Sequence, residues 1–257
     1  MCLILLMHRV NPDVDVLFAG NRDEFYSRPS APPAIIQSGP IVYAGQDLEA
    51  GGTWMGRNEH GLMAGLTNGR RFEGTPPPDA RSRGELVLGL LQHETPQAAA
   101  AWLSSRPLDR YRLFNVLFGN VDGFYYYSSL TGEPVAALAP GVYALSNSTL
   151  NDAAWPKVAR SLEFLEANRK TPGEELLRRT EVFLCDGTHP DQHESPHMME
   201  EVHGALGAVF IRTAGYGTVS QTILTEGGRL GRRYLFSGET HLQAGPRPEP
   251  QFQSCTF

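Results

Sequence analysis

A cysteine directly after the initiator methionine is the residue of this chain with the greatest chemical reach. Removal of Met1 would leave a free α-amine and a thiol together on Cys2. The amine titrates near ~7.7–8.0 and the thiol near ~8.5, so at neutral pH some amine is unprotonated and can take the thiol proton. Reactive residue types recur at Gly20-Asn21-Arg22-Asp23-Glu24. An arginine beside a thiol favours the thiolate, and an aspartate can accept a proton or orient the amine. Each feature has a plainer alternative: Cys2 as a small apolar residue near a strand end, and the charged run as a solvated turn whose ion pair adds little stability.

Another cluster, His189, His193 and His197 with His203, Met198 and Met199, invites a metal reading because the first three histidines are four residues apart. Helical ligands have that spacing, but Pro190 and Pro196 break any helix there. The segment therefore reads as a polar surface loop linking a helix to a strand, and no metal site is assigned. Trp54, Trp102 and Trp155 read as core or pocket wall.

The elements that must position these residues follow from periodicity and turn chemistry. Residues 2–8 and 14–20 read as a hairpin joined through Asn11-Pro12-Asp13, with Cys2 held at the end of a buried strand beside residues 21–24. The prolines of Arg28-Pro29-Ser30-Ala31-Pro32-Pro33 predict irregular chain. Strands are expected at 41–44, 53–57, 61–67, 112–119, 123–129, 134–145, 205–212, 216–225 and 230–237. Helices are expected at 84–91, 96–103, 154–168 and 173–184, the second opening at Thr95 with Pro96 at its first position. Strands in runs with helices in pairs predict an α+β fold of antiparallel sheets covered by helices. No linker interrupts the chain, so residues 1–244 are expected to form one domain and the Pro/Gln-rich residues 245–257 a flexible tail.

Composition narrows the function classes. With 257 residues the chain can bury a sizeable core. A net charge of −6 gives no basic footprint for nucleic acid. Three widely spaced cysteines, Cys2, Cys185 and Cys255, argue against a disulfide scaffold and fit a reducing compartment. No apolar run reaches the ~18–20 residues of a membrane span, and the apolar start lacks the features of a secretory signal. A cytoplasmic protein is the expectation; its oligomeric state is open.

Several segments together carry a resemblance. Cys2, Asn21-Arg22-Asp23-Glu24-Phe25-Tyr26-Ser27-Arg28-Pro29, Gly51-Gly52-Thr53-Trp54, Ala64-Gly65-Leu66-Thr67-Asn68, Arg83-Gly84-Glu85-Leu86, Leu145-Ser146-Asn147 and Tyr216-Gly217-Thr218 resemble the NRDE family, also called the transport and Golgi organisation protein 2 family. The resemblance runs from residue 2 to about 237. It implies the N-terminal nucleophile hydrolase fold, a four-layer αββα sandwich of two antiparallel sheets flanked by helices. Asn58 to Asn68 also resembles the asparagine-bearing strand of bile-salt hydrolases and penicillin V acylases, where a terminal cysteine attacks an amide carbonyl. That similarity implies catalytic roles for Cys2, Arg22 and Asp23, with Asn68 or Asn147 receiving the oxyanion. Asn21, Trp54 and Tyr216, each within one of the shared motifs, are read as ligand-binding. One position departs from the pattern: the family usually has an arginine after Tyr-Gly-Thr, and this chain has Val219. An apolar side chain cannot replace that charge; Arg22 could suffice, or Arg212 could approach from a neighbouring strand.

Two expectations of different class follow. One is a cysteine amidohydrolase needing no cofactor, with a small-molecule substrate. The other is a non-catalytic carrier of haem or another hydrophobic metabolite, since members of the family are implicated in intracellular haem movement. Residue types that could ligate haem iron occur at Cys2, His8, His60 and in the histidine- and methionine-bearing loop.

Overall fold

Seven consecutive buried residues form the first strand, β1 (Cys2–His8). A strand buried on both faces has to lie between two covering layers. Leu3, Leu5 and Met7 project into a cluster with Leu165, Leu176, Leu177 and Leu184 of two helices. Ile4 and Leu6 project the other way, onto Met55, Met63, Leu117 and Phe124 of a second sheet. The computed structural model describes residues 2–69, 79–188, 206–238 and 251–255.

The first sheet contains β1, β2 (Val16–Phe25), β10 (Gly141–Leu145), β11 (Tyr216–Glu226), β12 (Arg233–Gly238) and β13 (Gln253–Ser254), in the order β10-β1-β2-β11-β12-β13. The second runs in sequence order through β3 (Ser30–Ser38), β4 (Ile41–Asp47), β5 (Met55–Asn58), β6 (Met63–Asn68), β7 (Phe114–Asn120), β8 (Gly123–Ser128) and β9 (Ala136–Leu138). All pairings are antiparallel. Helices α3 (Pro156–Ala167) and α4 (Gly173–Leu184) cover the outer face of the first sheet, and α1 (Gly84–Leu90) and α2 (Pro96–Ser104) cover that of the second. The expected four-layer αββα arrangement is therefore the observed one. Thr95 caps α2 as expected, its hydroxyl accepting the Ala98 N–H at 3.2 Å.

Several expected elements differ. The second strand does not stop at residue 20 but continues to Phe25, so the Asn-Arg-Asp-Glu run lies inside the ladder and alternates between its faces. Prolines 32 and 33 do not prevent a strand: β3 is an edge strand, and the register shift between Ala31 and Ala34 accommodates the missing donors. The single stretch expected at 134–145 divides at Ala139-Pro140 into β9 and β10, which belong to different sheets. Residues 206–212 form no strand of either sheet and contribute one isolated bridge, Arg212 to Gly217. Near the C-terminus, β13 pairs with β12, and Phe252 packs on the core under the first sheet. The expected histidine loop falls within 189–205, outside the described residues. Among the described residues no helix is long and apolar enough to cross a membrane.

Candidate active site

Cys2 pairs directly with Arg22, and Arg22 in turn with Ser220 of β11. Directly paired residues share a sheet face, so these three side chains project from the same face as Ile4 and Phe18, toward the second sheet. Gly20 permits the close approach beside them, since a Cβ there would stand 2.4 Å from the Leu3 carbonyl oxygen. Cys2 is 9% exposed, and its surface borders a cavity of about 380 Å³. Arg22, Arg28, Asp47, Trp54, Asn68 and Arg83 border the same cavity.

Arg22 is buried, with one guanidinium nitrogen on Asp47 at 3.2 Å and its plane over the Trp54 ring at 4.6 Å from the centroid. Its other terminal nitrogen, Nη1, is buried without a hydrogen-bond partner among the described residues. Arg28 donates to the same Asp47 oxygen at 2.8 Å. Burial alone would raise the Asp47 carboxyl, but the Arg28 hydrogen bond, the Ala50 N–H and the charges of Arg28 and Arg22 outweigh it and hold Asp47 below the usual carboxylate range. Asp47 thus stays ionised and fixes both arginines. Arg83, at the start of α1, is depressed by burial, while Cys2 acts in the opposite direction as its leading electrostatic partner. A guanidinium so perturbed remains a cation. Two positive groups, Arg22 and Arg83, therefore border the same cavity as Cys2.

The two sheets are tied together at this point by the chain following β10. The Ser146 hydroxyl donates to the Cys2 carbonyl at 3.0 Å, and the Asn147 amide donates to the Asn68 carbonyl at 2.6 Å. Thr67 donates to the Ser146 carbonyl, and Asn115 to the Ser148 carbonyl at 2.9 Å. Cys2 on one sheet and Asn68 on the other are thus registered by adjacent residues. The Asn68 carboxamide makes no side-chain hydrogen bond among the described residues and borders the cavity.

The expected site residues divide accordingly. Cys2, Arg22, Asn68 and Trp54 are brought together at the cavity. Asn147 is fully buried and does not line it; its amide positions Asn68, which corrects its expected role as an oxyanion donor. Asp23 borders the cavity, but its carboxylate is held on the helical side by Lys157 of α3 at 3.2 Å and by the Thr218 hydroxyl at 2.7 Å. Both members of that ion pair are completely buried. Strand alternation places Asn21 on that side too, where its amide donates to the Leu184 and Val209 carbonyls at 2.9 and 2.8 Å. Tyr216 donates to the Asp23 carbonyl at 3.0 Å and packs edge-on against Phe25. Asn21 and Tyr216 do not line the cavity and hold its supporting strands, which corrects their expected role in ligand binding.

Val219 sits in the bulge between Thr218 and Ser220 and does not line the cavity. Arg212 is exposed, over the Phe210 ring at 5.0 Å, and does not line it either. Arg83, which the sequence marked only as part of a shared motif, does border the cavity. Lys157 gave a fainter signal: it is one of two lysines among 22 basic residues. Of the candidate haem ligands, His8 is buried, depressed by desolvation and set with Nε2 3.3 Å from the Val121 carbonyl, while His60 is exposed in a turn. Among the described residues no group of histidine, cysteine or carboxylate side chains could hold a metal ion.

Known proteins place this arrangement. A conjugated bile acid hydrolase from Clostridium perfringens superposes with a TM-score of 0.59 over 99% of this chain and 92% of its own, at 11% identity. An N-acylethanolamine-hydrolyzing acid amidase ortholog from Caenorhabditis elegans gives 0.51 over 87% and 92%, also at 11% identity. At such low identity the likeness is one of fold, and the fold is that of N-terminal nucleophile hydrolases. In sequence, the mouse Transport and Golgi organization 2 homolog is 30% identical over 248 residues, covering 87% of this chain and 88% of the relative. The human homolog is 31% identical over 250 residues with the same coverage. The sequence profile of Transport and Golgi organisation 2 matches residues 1–229, and the chain belongs to that family.

Proposed function

We propose that this protein is a cysteine hydrolase of non-peptide amide bonds that uses Cys2 as an N-terminal nucleophile. The observation that carries this reading is the convergence on one cavity of the Cys2 thiol, a buried Arg22 nitrogen and the Asn68 carboxamide, the last two without a side-chain hydrogen bond to any other described residue. After removal of Met1, the Cys2 α-amine takes the thiol proton and the thiolate attacks the acyl carbon. The carbonyl π pair moves to oxygen, where the Asn68 N–H group and Arg22 Nη1 supply donors; one well-aimed donor contributes about 3–4 kcal/mol. The C–N bond then breaks, the ammonium returns its proton to the leaving nitrogen, and an acyl thioester remains. Water, deprotonated by the same amine, attacks that thioester, releasing a carboxylic acid and restoring the thiol. Arg83 and Arg22 favour the thiolate before it attacks and when the thioester releases it.

The carrier reading has less support in the lining. An apolar macrocycle is held by apolar walls and an axial ligand, whereas this cavity is lined by five arginines and four carboxylates, and Cys2 is its one ligand-type sulfur or nitrogen among the described residues. Incubation with a panel of acyl amides and thioesters, followed by intact mass, tests the proposal. A stable or transient acyl adduct on Cys2, absent from Cys2→Ala, is expected. No adduct and no turnover, with stoichiometric haem binding that Cys2→Ala abolishes, would overturn it.

A further inference from the structure

The charges around the cavity are unevenly matched. Arg22 and Arg28 share Asp47, Arg28 also holds Glu49 at 2.9 Å, and Arg81 pairs with Glu85 at 2.7 Å. Asp23 is turned away to Lys157. Arg83 and Arg112 border the same cavity without an ion pair among the described residues. Arg83 donates from one nitrogen to the Leu113 carbonyl at 3.1 Å, and Glu24, the remaining carboxylate on the wall, accepts the Phe25 N–H at 2.8 Å. With Arg22 Nη1 also unpartnered among the described residues, the wall offers more guanidinium N–H groups than acceptors. Donors of this kind are costly to leave unpaired when substrate excludes water. Their planar fork matches paired oxygens on one centre.

Resting on the hydrolase reading, we propose that the substrate carries an anionic oxygen group, a carboxylate or a phosphate, on a short arm from its scissile carbonyl, and that Arg83 and Arg112 receive it. The arm is short because Arg83, Arg112 and Cys2 border one cavity of only about 380 Å³. Selection is then made by charge within a small polar cavity, and a neutral amide of the same length lacks the group that orients it.

Iodoacetate and iodoacetamide test this, being alkylating agents of nearly equal size that differ in charge. Both consume the same thiolate, so the ratio of their rates is independent of how much thiolate is present. Cys255 serves as the internal reference. The iodoacetate-to-iodoacetamide ratio is expected to be about tenfold higher at Cys2 than at Cys255, equivalent to about 1.4 kcal/mol of preference. It should fall toward the reference in Arg83→Gln and Arg112→Gln, and with added salt. Equal ratios at the two cysteines would overturn the inference. Rapid iodoacetamide labelling of Cys2 in that same experiment would leave the nucleophile reading standing. Should Cys2 react with neither reagent, thermal denaturation of Cys2→Ala decides. Stabilisation by inorganic phosphate or N-acetylglycine over chloride at equal ionic strength, lost when Arg83→Gln and Arg112→Gln are added, supports the anion site and tells phosphate from carboxylate. No such variant-dependent stabilisation overturns it.

Discussion

At the scale of single residues, the two asparagines separate by what their amides hold. Asn68 borders the cavity with its carboxamide uncommitted among the described residues, whereas Asn147 is buried and donates to the Asn68 carbonyl at 2.6 Å. Asn68→Ala should therefore lower acylation of Cys2 by about 10²–10³-fold with little loss of stability. Asn147→Ala should lower both acylation and thermal stability, because it leaves a buried carbonyl without its donor. Equal effects of the two substitutions on acylation at unchanged stability would refute the division. Lys157 makes a different point. It and Asp23 are completely buried at 3.2 Å, so Lys157→Met strands a carboxylate and is expected to cost about 3–5 kcal/mol in denaturant unfolding. Adding Asp23→Leu should recover much of that, which a role for Lys157 limited to apolar packing would not produce. Cys2, Arg22 and Trp54 were legible from type and motif as candidates, and all three border the cavity. The side each neighbour takes was not, because the extent of β2 to Phe25 decides that Asn21 and Asp23 face the helices while Arg22 faces the sulfur.

At the scale of elements, the cavity depends on how closely α1 approaches the turn before β5. A Cβ on Gly52 would lie 2.6 Å from the Gly84 carbonyl carbon and 2.8 Å from its Cα, backbone atoms that cannot rotate aside. Gly52→Ala must push the start of α1 outward, taking Arg83 with it. The expected cost is about 1–3 kcal/mol of stability, together with slower labelling of Cys2 at neutral pH; unchanged labelling would show that Arg83 does not act on the sulfur. Most helices and central strands were readable from period and caps, as with Thr95 and Pro96 opening α2. The misread elements share one cause, which is tertiary position. An edge location allows the prolines of β3, and a change of sheet at Ala139-Pro140 separates β9 from β10. Neither is encoded in local propensity.

At the scale of the whole molecule, two sheets meet face to face, and the core between them reaches from the Cys2 end of β1 to His8 at its other end. His8 is 1% exposed, packs on Phe124 at 5.2 Å and is depressed by desolvation, so the folded state binds its proton less readily than the unfolded chain. Its contribution is full above the unfolded value of ~6.5 and diminishes as pH falls from there toward the folded value, by at most about 1.4 kcal/mol per pH unit. Urea unfolding should show that loss below pH 6.5, with a smaller slope in His8→Gln; identical slopes would place the acid sensitivity elsewhere. The layer order was legible because runs of strands alternate with helix pairs. The tie between sheets, in which Ser146 holds Cys2 and Asn147 holds Asn68, depends on the chain passing from β9 at one sheet's edge to β10 at the other's. No spacing in the chain announces it.

Intact mass combined with alkylation between pH 5 and 9 decides whether Cys2 is a terminal nucleophile. Burial raises the Cys255 thiol, which makes it a slow reference. Loss of Met1 is expected, with Cys2 labelled well before Cys255 at neutral pH and below. Retention of Met1, or labelling of Cys2 no faster than Cys255, would contradict the claim.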